Sequence, residues 1–68
     1  MKWRVALNPD GTANRYAKRY GAWTVCRVTV LGVDRYECWH GRELVRWFPS
    51  AAEATSDVER EVRRKAAG

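Results

Sequence analysis

The stretch WTVCRVTVLGVDRYECWHGRELVRWF, residues 23–48, decides the fold of this protein. It is rich in β-branched and aromatic residues, which favour strands, and two glycine-containing turns interrupt it. The first turn is predicted over residues 32–34, and the second places Gly41 before Arg42, the order that a type II′ hairpin turn requires. The stretch therefore predicts a three-stranded antiparallel meander within residues 22–48, with strands over 23–31, 35–39 and 44–48.

A helix is predicted directly after the third strand, over residues 50–66. Ser50 can cap its N-terminus, and Glu53, three residues later, completes a capping box. Basic residues follow in the last turn, where they complement the helix dipole. Small apolar side chains recur every three or four residues and form a stripe that would pack on the sheet, at Ala51, Ala54, Val58 and Val62.

The N-terminal segment is predicted to extend this sheet. Lys2–Leu7 alternates polar and apolar residues as a strand does, and Asn8–Gly11 has the residues of a turn. Residues 12–20 fit a helix as well as a strand, and we favour a strand or an extended loop. A hairpin at this turn would place Trp3 opposite Tyr16.

The expected fold class is α+β: a small antiparallel sheet, made of the meander and an extra N-terminal strand, packed on one C-terminal α-helix. A chain of 68 residues forms one small domain, buries only about 60% of its unfolded surface and has little room for a deep catalytic cleft. The parts of this domain are the N-terminal segment 1–21, the meander 22–48 and the helix 50–66.

Hydropathy and the N-terminus indicate a cytoplasmic protein. No apolar run approaches the roughly 20 residues that span a bilayer, so we expect no membrane partner. The first residues lack the apolar core of a signal peptide. The two cysteines are therefore expected to be reduced, because disulfides are rare in the cytoplasm.

The net charge of +5 lies outside the C-terminal segment. Residues 1–49 carry nine basic and four acidic side chains, whereas residues 50–68 carry four of each. A basic surface of this kind favours a polyanionic partner such as nucleic acid.

The two predicted turns determine which residues oppose one another, and so assign the two faces of the sheet. The first turn pairs Val28 with Cys38, and the second pairs Cys38 with Val45, Glu37 with Arg46 and Tyr36 with Trp47. One face is then almost wholly apolar and is expected to lie under the helix. Its residues are Cys26, Val28, Val30, Tyr36, Cys38, Val45 and Trp47.

The opposite face combines basic and aromatic residues, and two interpretations remain open. The N-terminal segment could fold over part of it as a second small core. Alternatively, the face is an exposed surface on which arginines reach phosphates or guanine edges and tryptophan packs on sugars. Its predicted residues are Val25, Arg27, Thr29, Arg35, Glu37, Trp39, Leu44, Arg46 and Phe48.

The cysteines and the single histidine do not predict a chemical site. Cys26 lies diagonal to Cys38, about 7–8 Å away, which is too far for an undistorted disulfide. Together with His40 they offer three metal ligands at most, without the usual C-x₂-C spacing. We expect two buried thiols under the helix, no metal and no cofactor. His40 has only Glu43 nearby, and there is no glycine-rich phosphate loop, so neither an enzyme nor a small-molecule substrate is expected.

Two segments carry a resemblance to a known family. Gly21–Val25 (GAWTV) and Trp47–Ala54 (WFPSAAEA), joined by short hairpins, resemble the arm-type DNA-binding domain of tyrosine integrases, and are similar also to the plant ethylene-response DNA-binding domain. The resemblance covers about residues 18–66 and implies a three-stranded sheet backed by one helix, whose open face enters the major groove of double-stranded DNA. The contact residues it implies are Arg27, Arg35, Trp39 and Arg46, with Arg42 at the hairpin tip. The basic pair Lys18 and Arg19, at the start of the segment, completes the candidate set.

The expected function is a small, basic, non-enzymatic module that binds double-stranded DNA through the open face of its sheet. Glu37 departs from this pattern, because a carboxylate in the middle of the face would repel phosphate. No catalytic domain follows, so we expect no integrase activity, and the pattern suits a stand-alone accessory protein of a phage or mobile element. The alternative is a phage-encoded factor that inhibits a host protein through the same face, since Trp and Arg are frequent interface hot spots.

Overall fold

The computed structural model describes residues 3–67. Its five strands form one antiparallel sheet in the order in which they occur along the chain, and one helix follows them. The α+β class and the C-terminal helix are confirmed, and the sheet is wider than the predicted meander. The elements are β1 (Arg4–Leu7), β2 (Ala13–Tyr20), β3 (Trp23–Val30), β4 (Val33–His40), β5 (Glu43–Phe48) and α1 (Ala51–Ala67).

The N-terminal segment forms a hairpin of two strands, β1 and β2. In the turn between them the Asn8 amide donates to the Thr12 carbonyl at 2.8 Å. The prediction that Trp3 faces Tyr16 is wrong, because the pairing of Leu7 with Ala13 at the turn already differs from the predicted one, and an irregularity between Val5 and Ala6 shifts the register further. Trp3 instead packs edge-on against Tyr20, with ring centroids 5.4 Å apart. The predicted start of the strand at Lys2 lies outside the described residues.

The turn between β3 and β4 differs from the prediction and changes the faces of the sheet. It is a two-residue turn at Leu31 and Gly32, both with positive φ (53° and 78°), as a type I′ turn requires. The predicted turn at 32–34 is therefore wrong, because a leucine with positive φ is not expected from sequence. Val25, and not Val28, opposes Cys38. The observed register of β3 against β4 differs from the predicted one by three residues, which is an odd number. Because side chains alternate between the two faces of a strand, every β3 side chain lies on the face opposite to the predicted one.

The turn between β4 and β5 is confirmed, but the strands then change register. His40 pairs with Glu43 as predicted, and a bulge beyond Trp39 makes Val45 an extra residue of β5. The predicted pairs Cys38–Val45, Glu37–Arg46 and Tyr36–Trp47 are consequently wrong. The observed partners are Arg46 for Cys38, Trp47 for Glu37 and Phe48 for Tyr36.

The core lies between the helix and the central strands. The predicted N-cap is confirmed, since the Glu53 amide donates to Ser50 Oγ at 3.2 Å and α1 begins at Ala51. Trp3 also lies on the helix side, because its Nε1 donates to Glu59 at 2.8 Å, so this part of the N-terminal segment does not cover the opposite face. The buried core cluster is Trp23, Val25, Cys38, Ala54 and Val58, bordered by Trp3, Tyr20, Tyr36, Phe48 and Val62.

Candidate binding surface on the open face of the sheet

The sheet face opposite the helix, here called the open face, is built from rows of side chains on paired strands. Residues directly opposite each other in antiparallel strands share a face. One row crosses β2 to β5, and a second row runs beside it. The rows are Ala17–Cys26–Glu37–Trp47 and Arg19–Thr24–Trp39–Leu44, with Val28 and Arg35 as a further pair.

A shallow depression of about 570 Å³ lies in the open face. Its small side chains Ala6 and Ala17 are buried, and the larger side chains of Arg19, Glu37 and Trp39 also line it. Small and large side chains alternate on this face of the sheet, which the helix does not cover. They therefore produce a concave surface into which groups of a partner can fit.

A hydrogen-bonded cluster occupies the middle of the open face. Glu37 is only 7% exposed, and its Oε2 accepts hydrogen bonds from Arg35 at 2.8 and 3.2 Å. Its Oε1 accepts from Trp39 Nε1 at 3.2 Å. The Arg35 guanidinium also lies over the Trp47 ring, 5.3 Å from its centroid. These four residues, the open-face cluster, hold one another in place, and Arg35 offsets the negative charge that was expected to repel phosphate.

The structure divides the seven predicted contact residues between two sides. Arg19, Arg35 and Trp39 lie on the open face, and Arg42 lies at the exposed hairpin tip next to Gly41, which lines the depression. Lys18, Arg27 and Arg46 lie on the helix side. The prediction that Arg27 and Arg46 share a face with Trp39 is wrong, because the β3–β4 turn and the β5 bulge invert those positions.

Two of the helix-side cations already have partners in the fold. Arg46 Nη1 donates to Asp57 Oδ1 at 3.1 Å, and its Nη2 lies 3.9 Å from Glu61. The Arg27 guanidinium lies over the Tyr16 ring, 4.5 Å from its centroid. Arg46 therefore ties the sheet to the helix, a role for which the sequence provided no signal.

The two cysteines lie on opposite faces of the sheet. Cys38 is fully buried, with its Sγ 3.8 Å from the Ala54 carbonyl oxygen, as expected for a thiol under the helix. Cys26 pairs with Ala17 and Glu37 on the open face, so its predicted place under the helix is wrong. Burial, and to a lesser extent Asp57, raises the pKa of Cys38 to about 11. Burial and the Glu37 carboxylate also raise the pKa of Cys26.

We expect thiol alkylation of the native protein to modify Cys26 and to spare Cys38 until the chain unfolds. Mass spectrometry after labelling for increasing times distinguishes the two sites, and equal rates would contradict the burial of Cys38.

The pKa of Cys38 lies above its ordinary value of 9.0, so the folded state keeps this proton longer than the unfolded state. The protonated thiol makes its full contribution to folding stability at pH values below the pKa that Cys38 has in the unfolded chain. This contribution is lost as the pH rises towards the pKa that Cys38 has in the folded protein. This contribution is measured by comparing the urea unfolding of the wild-type protein and of Cys38→Ala at increasing pH.

The described residues do not bring potential metal ligands together in one place. Within residues 3–67, no three His, Cys, Asp or Glu side chains come close enough to hold a metal ion. The His40 ring packs edge-on against Trp23, with centroids 4.9 Å apart. In the same part of the chain, no helix has the length and apolar character needed to cross a bilayer.

Comparisons of the chain with protein-family models, with curated proteins and with solved structures found no match in any of the three.

Proposed function

We propose that this chain is a small non-enzymatic binding module that binds double-stranded DNA through the open face of its sheet and the adjoining hairpin tip. The observation that supports this most is the charge balance of that side. Arg19 and Arg42 are exposed there, whereas the carboxylate in its middle, Glu37, is buried and hydrogen-bonded by Arg35. A positive surface without an exposed acidic group at its centre complements a polyanion.

The arrangement of the open-face cluster fits a groove-binding role. The Arg35 guanidinium is held between Glu37 and Trp47, and such a planar, pre-oriented donor suits phosphates and guanine edges. Five strands span about 19 Å, whereas the major groove is about 12 Å wide. We propose that β4 and β5, which carry the cluster, enter the groove together with β3, and that β2 places Arg19 near the phosphate backbone.

Titration of the isotope-labelled protein with random-sequence duplex DNA tests this function. We expect saturable chemical-shift changes at Arg19, Arg35, Trp39 and Arg42, and affinity that falls steeply with salt because bound phosphates release counterions. Arg19→Ala and Arg42→Ala should each weaken binding and lower the salt slope by about one, as expected for a phosphate contact. Arg60→Ala, which removes an exposed helix cation, is the matched control.

Three outcomes would overturn DNA binding by this face. They are a response that disappears at physiological salt, shifts centred on α1, and an Arg60→Ala loss equal to that of Arg42→Ala. Equal losses of DNA affinity in Arg60→Ala and Arg42→Ala would show that binding depends only on the net charge of the protein.

A protein partner is the second candidate, and the exposed apolar side chains of the same face favour it. Leu44 is 40% exposed and Trp47 is 51% exposed, next to Arg35. Exposed Trp and Arg are enriched among the residues that dominate protein interfaces. The partner would offer an apolar surface with an acidic rim. A protein-binding face should give no saturable response to duplex DNA at physiological salt, so the same titration separates the candidates.

A further inference from the structure

We propose a second binding site on the helix side of the sheet, a cationic pocket that takes the phosphate group of a small ligand. The pocket has a volume of about 240 Å³ and lies between β2–β4 and the first turns of α1. It lies across the sheet from the open face, so this inference does not depend on DNA binding there. The residues that define it are Arg15, Tyr16, Lys18, Arg27, Tyr36 and Thr55.

The charge of this pocket is the main argument. Arg15, Lys18 and Arg27 line it together, and its lining, within the described part of the chain, contains no Asp or Glu. Among residues 3–67 these three cations form no salt bridge, in contrast to Arg35, Arg46 and Arg64, which all do. Three like charges around one small cavity repel one another, and a bound anion would relieve that repulsion.

The strand register brings two of these cations, Lys18 and Arg27, together. Lys18 is opposite Val25 in β2–β3, and Arg27 is opposite Tyr36 in β3–β4, so all four side chains lie on the helix side. Stacking on Tyr16 orients the Arg27 guanidinium and leaves its N–H edge available to donate. The Thr55 hydroxyl already donates to carbonyls of α1, so the cations are the anion-binding groups.

The walls of the pocket define the rest of the ligand. Val25, Tyr16 and Tyr36 contribute apolar and aromatic surface beside the cations. Sites for small molecules combine such walls with a few polar groups that set orientation. The chemistry and the volume fit a phosphate monoester on a small aromatic group, about the size of a mononucleotide.

Adenosine monophosphate is the probe, with adenosine and inorganic phosphate as comparisons at constant ionic strength. We expect saturable amide shifts at Lys18, Arg27 and Tyr36 with adenosine monophosphate, and much smaller shifts with adenosine. Lys18→Gln and Arg27→Gln should each weaken binding about threefold to tenfold, as expected for a partly exposed charge-assisted hydrogen bond. Arg19→Gln is the matched control, because it removes an equal charge one residue away on the opposite face.

Several results would overturn the proposal. Equal responses to adenosine and adenosine monophosphate would show that the phosphate is not recognised, and an Arg19→Gln loss equal to that of Lys18→Gln would show that the pocket is not the site. Displacement of adenosine monophosphate by duplex DNA would assign the phosphate to nucleic acid rather than to a small ligand. The phosphate pocket and DNA binding by the open face can fail independently of each other. Lys18→Gln should leave the affinity for duplex DNA unchanged, whereas Arg19→Gln should lower it.

Discussion

Trp23→Ala is expected to destabilise the fold severely, whereas Trp47→Ala should destabilise it only slightly. Trp23 is 9% exposed and belongs to the core cluster, and Trp47 is 51% exposed on the open face. Truncation of a buried tryptophan costs about 3–5 kcal/mol. A domain of 68 residues has a total stability of roughly 3–10 kcal/mol, so this loss is a large part of it.

Circular dichroism during urea and thermal unfolding measures both variants. Trp47→Ala removes the contact with Arg35 and should cost about 0.5–1 kcal/mol. The pair also tests the register directly, because the pairing expected from sequence places Trp47 under the helix. Equal destabilisation by the two substitutions would contradict the observed faces.

Arg46→Ala is expected to lower folding stability by about 2 kcal/mol, and to have little effect on DNA affinity once the protein is folded. Asp57 is 7% exposed, Arg46 donates to its Oδ1, and its Oδ2 has no partner among the described residues. Removing Arg46 leaves that carboxylate buried without its cation. The expected cost is below the 3–5 kcal/mol of a fully buried pair, because the Arg46 side chain is 42% exposed.

A double-mutant cycle with Asp57→Asn tests this role of Arg46. Neutralising Asp57 should rescue part of the Arg46→Ala loss, with a coupling energy of about 1–2 kcal/mol in urea unfolding. Arg42→Ala, which removes an exposed arginine from the adjacent turn, should change stability by no more than about 0.5 kcal/mol. Strictly additive effects of the Arg46 and Asp57 substitutions would show that the ion pair does not stabilise the fold.

Part of the candidate surface can be read from the sequence. Arg35, Glu37 and Trp39 are two residues apart in one strand, so alternation alone puts them on one face whatever the register. The R-x-E-x-W pattern could also have indicated the hydrogen bonds that Glu37 accepts from both neighbours. Trp47 was missed, because its face depends on the bulge in β5.

The cationic pocket was not predictable as a site. Two of its cations, Arg15 and Lys18, lie in β2 and the third, Arg27, lies in β3, and its walls come from three strands and the first turns of the helix. Lys18 and Arg27 stand out in the sequence only as basic residues. Their common location depends on the pairing of β2, β3 and β4, which tertiary packing decides.

The sequence by itself determined the order of the last three strands and the helix, the glycine turn at Gly41, the N-cap at Ser50 and the concentration of positive charge in residues 1–49. These features depend on backbone preferences and composition, which act over a few neighbouring residues. Tertiary structure alone decided which side chains lie under the helix, because that depends on a turn in which Leu31 adopts a positive φ. Such a conformation costs about 1–2 kcal/mol locally. Burying Trp23 and Val25 against the helix contributes about 1.5–3 kcal/mol for each side chain, so packing outweighs the local preference.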